Sequence, residues 1–401
     1  MTDDTTSTDA PTRRTLLKYG LAAGSTALLA GCSDNAGSDV TPETTATTAT
    51  ERERTTSDTA TATDTSYSVE MAPVGEVTFE SVPQRWVSYS GDYADMAVAL
   101  GHGDGITGIG NADRYYTDVY DELPGVEFDR EPVESYPEVR NKEAFYALDS
   151  DVHLYDPQML INWFDWDAAD LEEITDNVGP FLGNLIFRRE DEWHDYRYYT
   201  LYETFEKMAR LFQAEERYHA FEALHDEFIA SIQSRMPPAS ERPNVLLTFE
   251  GTDEPETFSP YRLNDRGTSK KQWRDLGVAD ALAGTGVDGL STTDRGELDY
   301  ETLLEVDPDV LLVRGHERKS ASEFRDTVLG YMAEHPVGSE LTAVQNGRVY
   351  RGGYLYQGPI HNLFLTERGA QQLYPDTFGD VTGDDELFDR QRVADIITGD
   401  L

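Results

Sequence analysis

The sequence predicts an α/β protein of two lobes, each built on a mainly parallel central sheet, joined by a single long α-helix. Three observations carry this. Short apolar runs alternate with helical segments along the body of the chain, the order that gives parallel sheets. One helix-to-strand unit is written twice. Between its two copies lies one amphipathic segment long enough to cross a domain.

The long segment runs from about Ala214 to Met236. Tyr218, Phe221, Leu224, Phe228, Ile229 and Ile232 recur at steps of three and four, which sets them on one stripe. Glu215 and Glu216 sit in its first turn, at the positive end of the helix dipole. Pro237 and Pro238 end it. At ~1.5 Å per residue it reaches roughly 33 Å. The repeated unit reads Glu143 to Leu148, then Asp149-Ser150-Asp151, then the strand from Val152. Its second copy reads Glu301 to Val306, Asp307-Pro308-Asp309, then the strand from Val310. In both, a Glu opens an amphipathic helix, an Asp-x-Asp turn closes it, and an apolar strand follows at the same offset.

The 401 residues allow two domains and tails, divided as 1–32, 33–66, 67–213, 214–238 and 239–401. There are 76 acidic and 33 basic residues, for a net charge of −43 spread along the whole chain. Such a charge repels itself at low salt, and ~1 M salt shortens the screening length to roughly 3 Å, so the composition reads as adaptation to high salt. Aromatics at 11% and apolar residues at 38% argue against an acidic disordered chain. Nucleic acid is excluded as a partner for this surface.

Residues 1–32 read as an address. Arg13 and Arg14 precede an apolar run from Tyr19 to Ala30, too short to span a bilayer. This resembles a twin-arginine export signal. The run closes in Leu29-Ala30-Gly31-Cys32, similar to a lipobox, with Cys32 the one cysteine of the chain and the expected lipid acceptor. Residues 33–66, rich in Thr, Ser, Ala and acids, form a tether with too little apolar surface to fold.

The body opens with a strand at Trp86–Ser90 and a helix over Tyr93–Leu100. Gly103, Gly105 and Gly108 match a dinucleotide fingerprint formally, but they follow a helix and precede the strand Ile106–Ile109, the reverse of what that fold needs. The Glu143 unit leads to the strand Val152–Tyr155. Phe181–Phe187 reads as a further strand, and Leu201–Phe212 as the helix before the long one. In the second half, Asn244–Phe249 is a strand, Gln272–Ala283 a helix closing in Gly284-Thr285-Gly286, Ala321–His335 a helix and Arg348–Tyr350 a strand.

Chemistry-bearing motifs are few. There is no Gly-x-Ser-x-Gly elbow, phosphate loop, Cys-x-x-Cys or His-Glu-x-x-His, and the eight histidines are scattered. No catalytic or metal set stands out, and no cofactor is implied. In open α/β sheets ligands lie beyond the carboxyl ends of the strands. Those ends carry Tyr89, Asn111, Tyr155, Arg188, Glu250, Arg314 and Tyr354, with Arg114, Tyr115, Tyr261, Arg262 and Tyr356 close by.

The export signal, lipobox, tether, two lobes and rod, together with Asn141-Lys-Glu143…Asp151, Tyr300-Glu301…Asp309 and Asn346-Gly-Arg-Val-Tyr350, resemble one family. It is that of the substrate-binding lipoproteins of ABC importers for ferric siderophores, cobalamin and haem, class III periplasmic binding proteins, here of haloarchaeal type. The resemblance covers about Val77 to Asp376. It implies a monomer that holds its ligand between the lobes and is anchored to the outer face of the membrane only by its lipid. It implies an ABC permease and its ATPase as partners, with Glu143 and Glu301 docking on permease arginines. The segment Trp163–Trp166 and the tail after Phe378 have no counterpart in it.

The expected ligand is a ferric siderophore or similar iron chelate. Tyrosines at the strand ends offer flat faces with a hydroxyl handle. Arginines there offer planar donors suited to carboxylate, catecholate or hydroxamate oxygens, unless they pair with nearby acids. Cobalamin or haem is the alternative ligand. An exported α/β enzyme or an adhesion module is the alternative class.

Overall fold

The computed structural model describes residues 66–189, 191–263, 265–283, 285, 296–381 and 385–401. Arg13, Arg14 and Cys32, the tether up to residue 65 and part of the Gly284-Thr285-Gly286 turn lie outside the described residues.

The first lobe carries a parallel sheet in the order β4 (Ile106–Ile109), β3 (Trp86–Ser88), β5 (Val152–Leu154). A hairpin of β1 (Tyr67–Met71) and β2 (Gly75–Phe79) precedes it, antiparallel, and was not expected from the sequence. The second lobe carries β10 (Val349–Arg351), β9 (Val310–Arg314) and β6 (Asn244–Phe249) in parallel, with β7 (Ser259–Tyr261) antiparallel at the edge and β8 (Ala279–Asp280) also paired to β6. Period-two alternation assigns each face. Val245, Leu247, Val310 and Leu312 join one apolar cluster, while Leu246, Leu311 and Val313 join another on the opposite face. Burial on both faces explains why β9 reads as an unbroken apolar run.

The repeated unit is repeated in three dimensions. Helix Lys142–Leu148 is capped by Asn141, whose side chain accepts from the Ala144 amide, and helix Tyr300–Val306 by Asp299, which accepts from Thr302. Both end on an aspartate in the left-handed region, Asp149 at φ 47° and Asp307 at φ 40°. The second aspartate of each turn ties down the neighbouring strand. Asp151 accepts from the amides of Gln84 and Arg85 just before β3, and Asp309 from the amide of Asn244 at the start of β6.

A helix over Glu215–Arg235 joins the lobes, burying Tyr218, Phe221, Leu224, His225, Phe228 and Ile232. A second connection was not legible. Helix Pro359–Leu373 leaves the second lobe and returns to helix Gly91–Ala99 of the first, where Asp95 accepts from the Ile360 and His361 amides at 2.9 and 3.2 Å. The tail also finds its place: helix Arg390–Thr398 packs on the long helix, with Phe388 5.5 Å from Phe228 and Arg392 paired to Glu227 at 2.5 Å.

Two elements differ from expectation. Phe181–Phe187 forms only a single bridge, His153 to Phe181. Beyond it the Leu182 amide still donates to the His153 carbonyl, side chains satisfy the middle, Asn184 by the Tyr93 hydroxyl and the Leu185 amide by Asp156, and the Ile186 and Phe187 carbonyls accept from the Thr268 and Ser269 amides. The helix expected over Gln272–Ala283 stops at Asp275, because Gly277 turns left-handed at φ 57° and releases β8 to pair with β6. Ala321–His335 holds as a helical stretch to Glu334, with a π turn over Arg325–Leu329.

Candidate ligand-binding cleft

The parallel strands of the two sheets end at a common cleft of about 470 Å³, within the range of small-ligand sites. From the first lobe, Tyr89 follows β3. Asn111, Asp113 and Arg114 follow β4 in a short turn. Trp163 and Phe164 close helix Pro157–Trp163, which Asp156 caps and Pro157 opens directly after β5. Phe187, Arg188 and Arg140 complete that side. From the second lobe come Tyr261 at the end of β7, Ser269 and Lys270, and Leu355 and Tyr356 in the loop after β10.

The floor is aromatic. The Tyr89 ring lies about 6 Å from those of Tyr155, Tyr356 and Phe164 and 6.3 Å from Trp163. Phe187 meets Tyr356 edge-on at 4.9 Å. Burial pushes the Tyr356 hydroxyl well above the usual tyrosine range, with Tyr89 adding to it, so it stays a neutral donor.

Four cations stand on this floor against the single acid Asp113. They are not equivalent. Arg188 is clamped by Asp191 through two contacts of 2.7 and 2.5 Å and lies 4.5 Å over Trp163. Lys270 meets Asp265 at 2.7 Å, both nearly buried. Arg114 has no ion pair among the described residues and rests 5.9 Å over Phe249. Arg140 gives its Nε to the Gly110 carbonyl at 2.6 Å, with Glu138 only at 3.9 Å, and covers Phe164. Arg114 and Arg140 are therefore the guanidinium groups with donors to spare.

Of the residues expected from sequence, Tyr89, Asn111, Arg114, Arg188, Tyr261 and Tyr356 line the cleft together. Arg314 lines a smaller adjoining cavity of about 170 Å³. It is 2% exposed and donates to the carbonyls of Gly353, Ser269 and Tyr354, so it fastens the cleft wall from behind. Tyr155, Tyr354, Glu250 and Arg262 stand off the lining. The Tyr155 hydroxyl is spent on the Val139 carbonyl. Tyr354 stacks on Tyr116 at 4.4 Å. Glu250 accepts from the Thr252 amide, and Arg262 donates to the Leu282 carbonyl. Tyr115, too, is buried, against Tyr120. Arg140, Lys270, Trp163, Phe164 and Phe187 were not anticipated. Trp163 could have been, since the helix that Pro157 opens starts at the carboxyl end of β5 and is only seven residues long, which keeps its whole length near that edge.

Among the described residues no cluster of three or more His, Cys, Asp or Glu could hold a metal ion. With Arg114 and Arg140 left with donors to spare against the single acid Asp113, the lining suits an anion with flat, polarisable surface rather than a bare metal cation.

Two α/β lobes, tied by one long helix and enclosing a cationic, aromatic cleft, define a two-lobed solute-binding protein. The sequence agrees: a profile of the periplasmic binding protein family matches residues 87–354, and the chain belongs to that family. Solved structures share the fold. A periplasmic binding protein from Veillonella parvula is 16% identical, with a TM-score of 0.51 over 75% of this chain and 88% of its own. A component of a Fep/Fec-like ferrichrome ABC transporter from Bacillus subtilis is 17% identical, at 0.50 over 73% and 98%. An iron-uptake ABC transporter substrate-binding protein of Streptococcus pneumoniae is 17% identical, at 0.50 over 75% and 96%. No curated protein sequence matches the chain.

Proposed function

We propose that this chain is the extracytoplasmic solute-binding lipoprotein of an ABC importer, and that it takes a ferric siderophore or related anionic iron chelate into the cleft and delivers it to the permease. The observation that carries the ligand class is the pair Arg114 and Arg140, with donors to spare above an aromatic floor, in a chain of net charge −43. At high salt, long-range attraction is screened, and short guanidinium contacts to chelate oxygens remain. The aromatic wall of Tyr89, Trp163, Phe164 and Tyr356 favours a second reading, a haem or cobalamin ligand that needs flat surface more than charge.

Cys32 is the proposed lipid attachment point and Arg13 and Arg14 the export signal, holding a monomeric, salt-adapted body at the outer face of the membrane. No helix among the described residues is long and apolar enough to cross a membrane. Glu143 and Glu301 are the proposed permease contacts. Both are exposed in the first turn of matching helices. Ligand affinity is expected to be unchanged and uptake lost when both become Ala.

Trp163 in the cleft wall gives a direct readout. Titration of the purified protein at molar salt is expected to show saturable tryptophan quenching by ferric chelates, lost in Trp163→Phe. Saturable quenching by cobalamin or haemin, and by no ferric chelate, overturns the iron assignment.

A further inference from the structure

A second, much smaller cavity lies beneath the floor of the cleft. It measures about 10 Å³, the room that one water-sized particle needs. Tyr89 and Phe187 line both it and the cleft above. Asp92, Asp156 and Asn184 also line it, each at most 3% exposed. Asp92 stands in the first turn of helix Gly91–Ala99, and Asp156 caps the helix after β5. Asn184 lies in the irregular run that follows the Phe181 bridge. Three segments distant in sequence thus bring polar side chains to one small cavity.

Asn184 is held so that one atom is left over. Its backbone amide and carbonyl both meet the Tyr93 hydroxyl, at 2.8 and 2.9 Å. Its Nδ2 donates to the Ala72 and Arg197 carbonyls at 2.8 and 2.9 Å, which fixes the side-chain amide one way round. Its Oδ1 is buried with no partner among the described residues, a costly state for an acceptor. The two acids cannot serve it, since ionised carboxylates only accept. The nearby hydroxyl donors are engaged: Ser90 donates to Asp92 at 2.5 Å and Tyr196 to Asp156 at 2.6 Å. Neither acid has an ion pair among the described residues. The titratable groups facing them are Tyr93, Asp95, Tyr196 and Tyr356. A buried, unpaired carboxylate takes up either a proton or a cation.

We infer that Asp92, Asp156 and the Asn184 Oδ1 form a buried site for one monovalent alkali cation. All three offer hard oxygen ligands. Calcium takes ~6–8 oxygens, and these carboxylates have few lone pairs left. Asp156 already accepts from the Gln158 and Leu185 amides and from Tyr196, and Asp92 from Ser90 and the Tyr93 amide. A singly charged ion of water-like size fits what remains. Burial raises both carboxyls from 3.8 to about 6, so proton and cation compete for the same oxygens, and the cation holds the site above that pH. The site needs no particular ligand in the cleft above it.

Urea unfolding of the purified protein tests this, in sodium, potassium or choline chloride of equal molarity, at pH 5 and pH 7.5. Choline is too large for the cavity. At pH 7.5 the folding equilibrium is expected to be about tenfold more favourable in sodium or potassium than in choline, once the salt exceeds the dissociation constant by ~10-fold. At pH 5 the gap is expected to shrink, because protons occupy the carboxyls. General salt effects persist in every variant, so the comparison with Asp92→Asn and Asp156→Asn decides. In both, the part of the gap that depends on pH is expected to vanish, while the midpoint in choline at pH 5 checks that each still folds. A gap equal at the two pH values in the unsubstituted protein, or unchanged in both variants, overturns the proposal. Crystals soaked in rubidium chloride give a direct reading, with an anomalous peak expected in contact with Asn184 Oδ1 and both acids. A peak at water distances of ~2.8 Å in sodium crystals, with no rubidium signal, means a buried water only and overturns it as well.

Discussion

Asp95 links the two lobes by capping a helix it does not belong to. Its carboxylate receives the Ile360 and His361 amides, in the first turn of helix Pro359–Leu373, and the Tyr120 hydroxyl at 2.9 Å. Gly358, at the N-cap, has no side chain to do this, and a Cβ there would stand 2.5 Å from the Asp95 oxygen. Asp95 is fully buried, so water cannot replace it. Asp95→Ala therefore orphans three buried donors. At ~1–3 kcal/mol for each unsatisfied group, with partial relaxation, the loss is about 3–5 kcal/mol. Asp95→Asn keeps one oxygen for the amides and loses the charge. Burial raises the Asp95 pKa above the usual carboxylate range, against the lowering effect of His361 and of the hydrogen bonds it accepts, and Asn, which keeps an acceptor oxygen in place, is expected to cost less than Ala. Urea unfolding at molar salt and constant pH measures both. Equal losses for Ala and Asn, or a loss under about 1 kcal/mol for Ala, refute the capping account.

Three further outcomes follow from the same geometry and sequence. Arg114→Ala and Arg140→Ala are each expected to weaken ferric-chelate binding by about 10–100-fold, the worth of a charge-assisted hydrogen bond, with little change in unfolding midpoint for Arg114→Ala; unchanged titration curves refute the cleft assignment. Burial raises the pKa of Asp92 and of Asp156 from 3.8 to about 6. The folded state then holds these protons more tightly than the unfolded, so their contribution is fully present below pH ~4 and is lost as pH rises through about 6. The full span is about 3 kcal/mol per group, an order of magnitude from ~1.36 kcal/mol per pKa unit. Asp92→Asn and Asp156→Asn are expected to flatten the stability slope between pH 4 and 7, which urea midpoints across that range report. Cys32→Ser is expected to release protein to the medium or leave the signal uncut, and Lys at both Arg13 and Arg14 to block export; fractionation of cells and medium decides, and normal surface attachment of Cys32→Ser refutes the lipobox.

The fold class was legible because its signals are local. The stripe from Tyr218 to Ile232, the fully apolar Val310–Val313 and the Asp-x-Asp turns each declare an element within a few residues, and the repeat of one unit declares two lobes. The residues expected at the strand ends line the cleft where the side chain closes a strand, as for Tyr89 and Tyr261. They stand off it where a neighbour distant in sequence takes the polar atom, as the Val139 carbonyl takes the Tyr155 hydroxyl.

The sequence by itself determined the alternation of strands and helices, the rod between the lobes, the matched glutamates and a net charge of −43. Only the tertiary structure decided which cations face the cleft with donors free, that Trp163 and Phe164 form its wall, that Arg314 is structural, and that Asp95 stitches the last long helix to the first lobe. Periodicity and turn chemistry act within a turn or two of chain. Pairing, burial and capping at Asp95 and Ile360, 265 residues apart, depend on which surfaces meet after folding, and no local pattern encodes that.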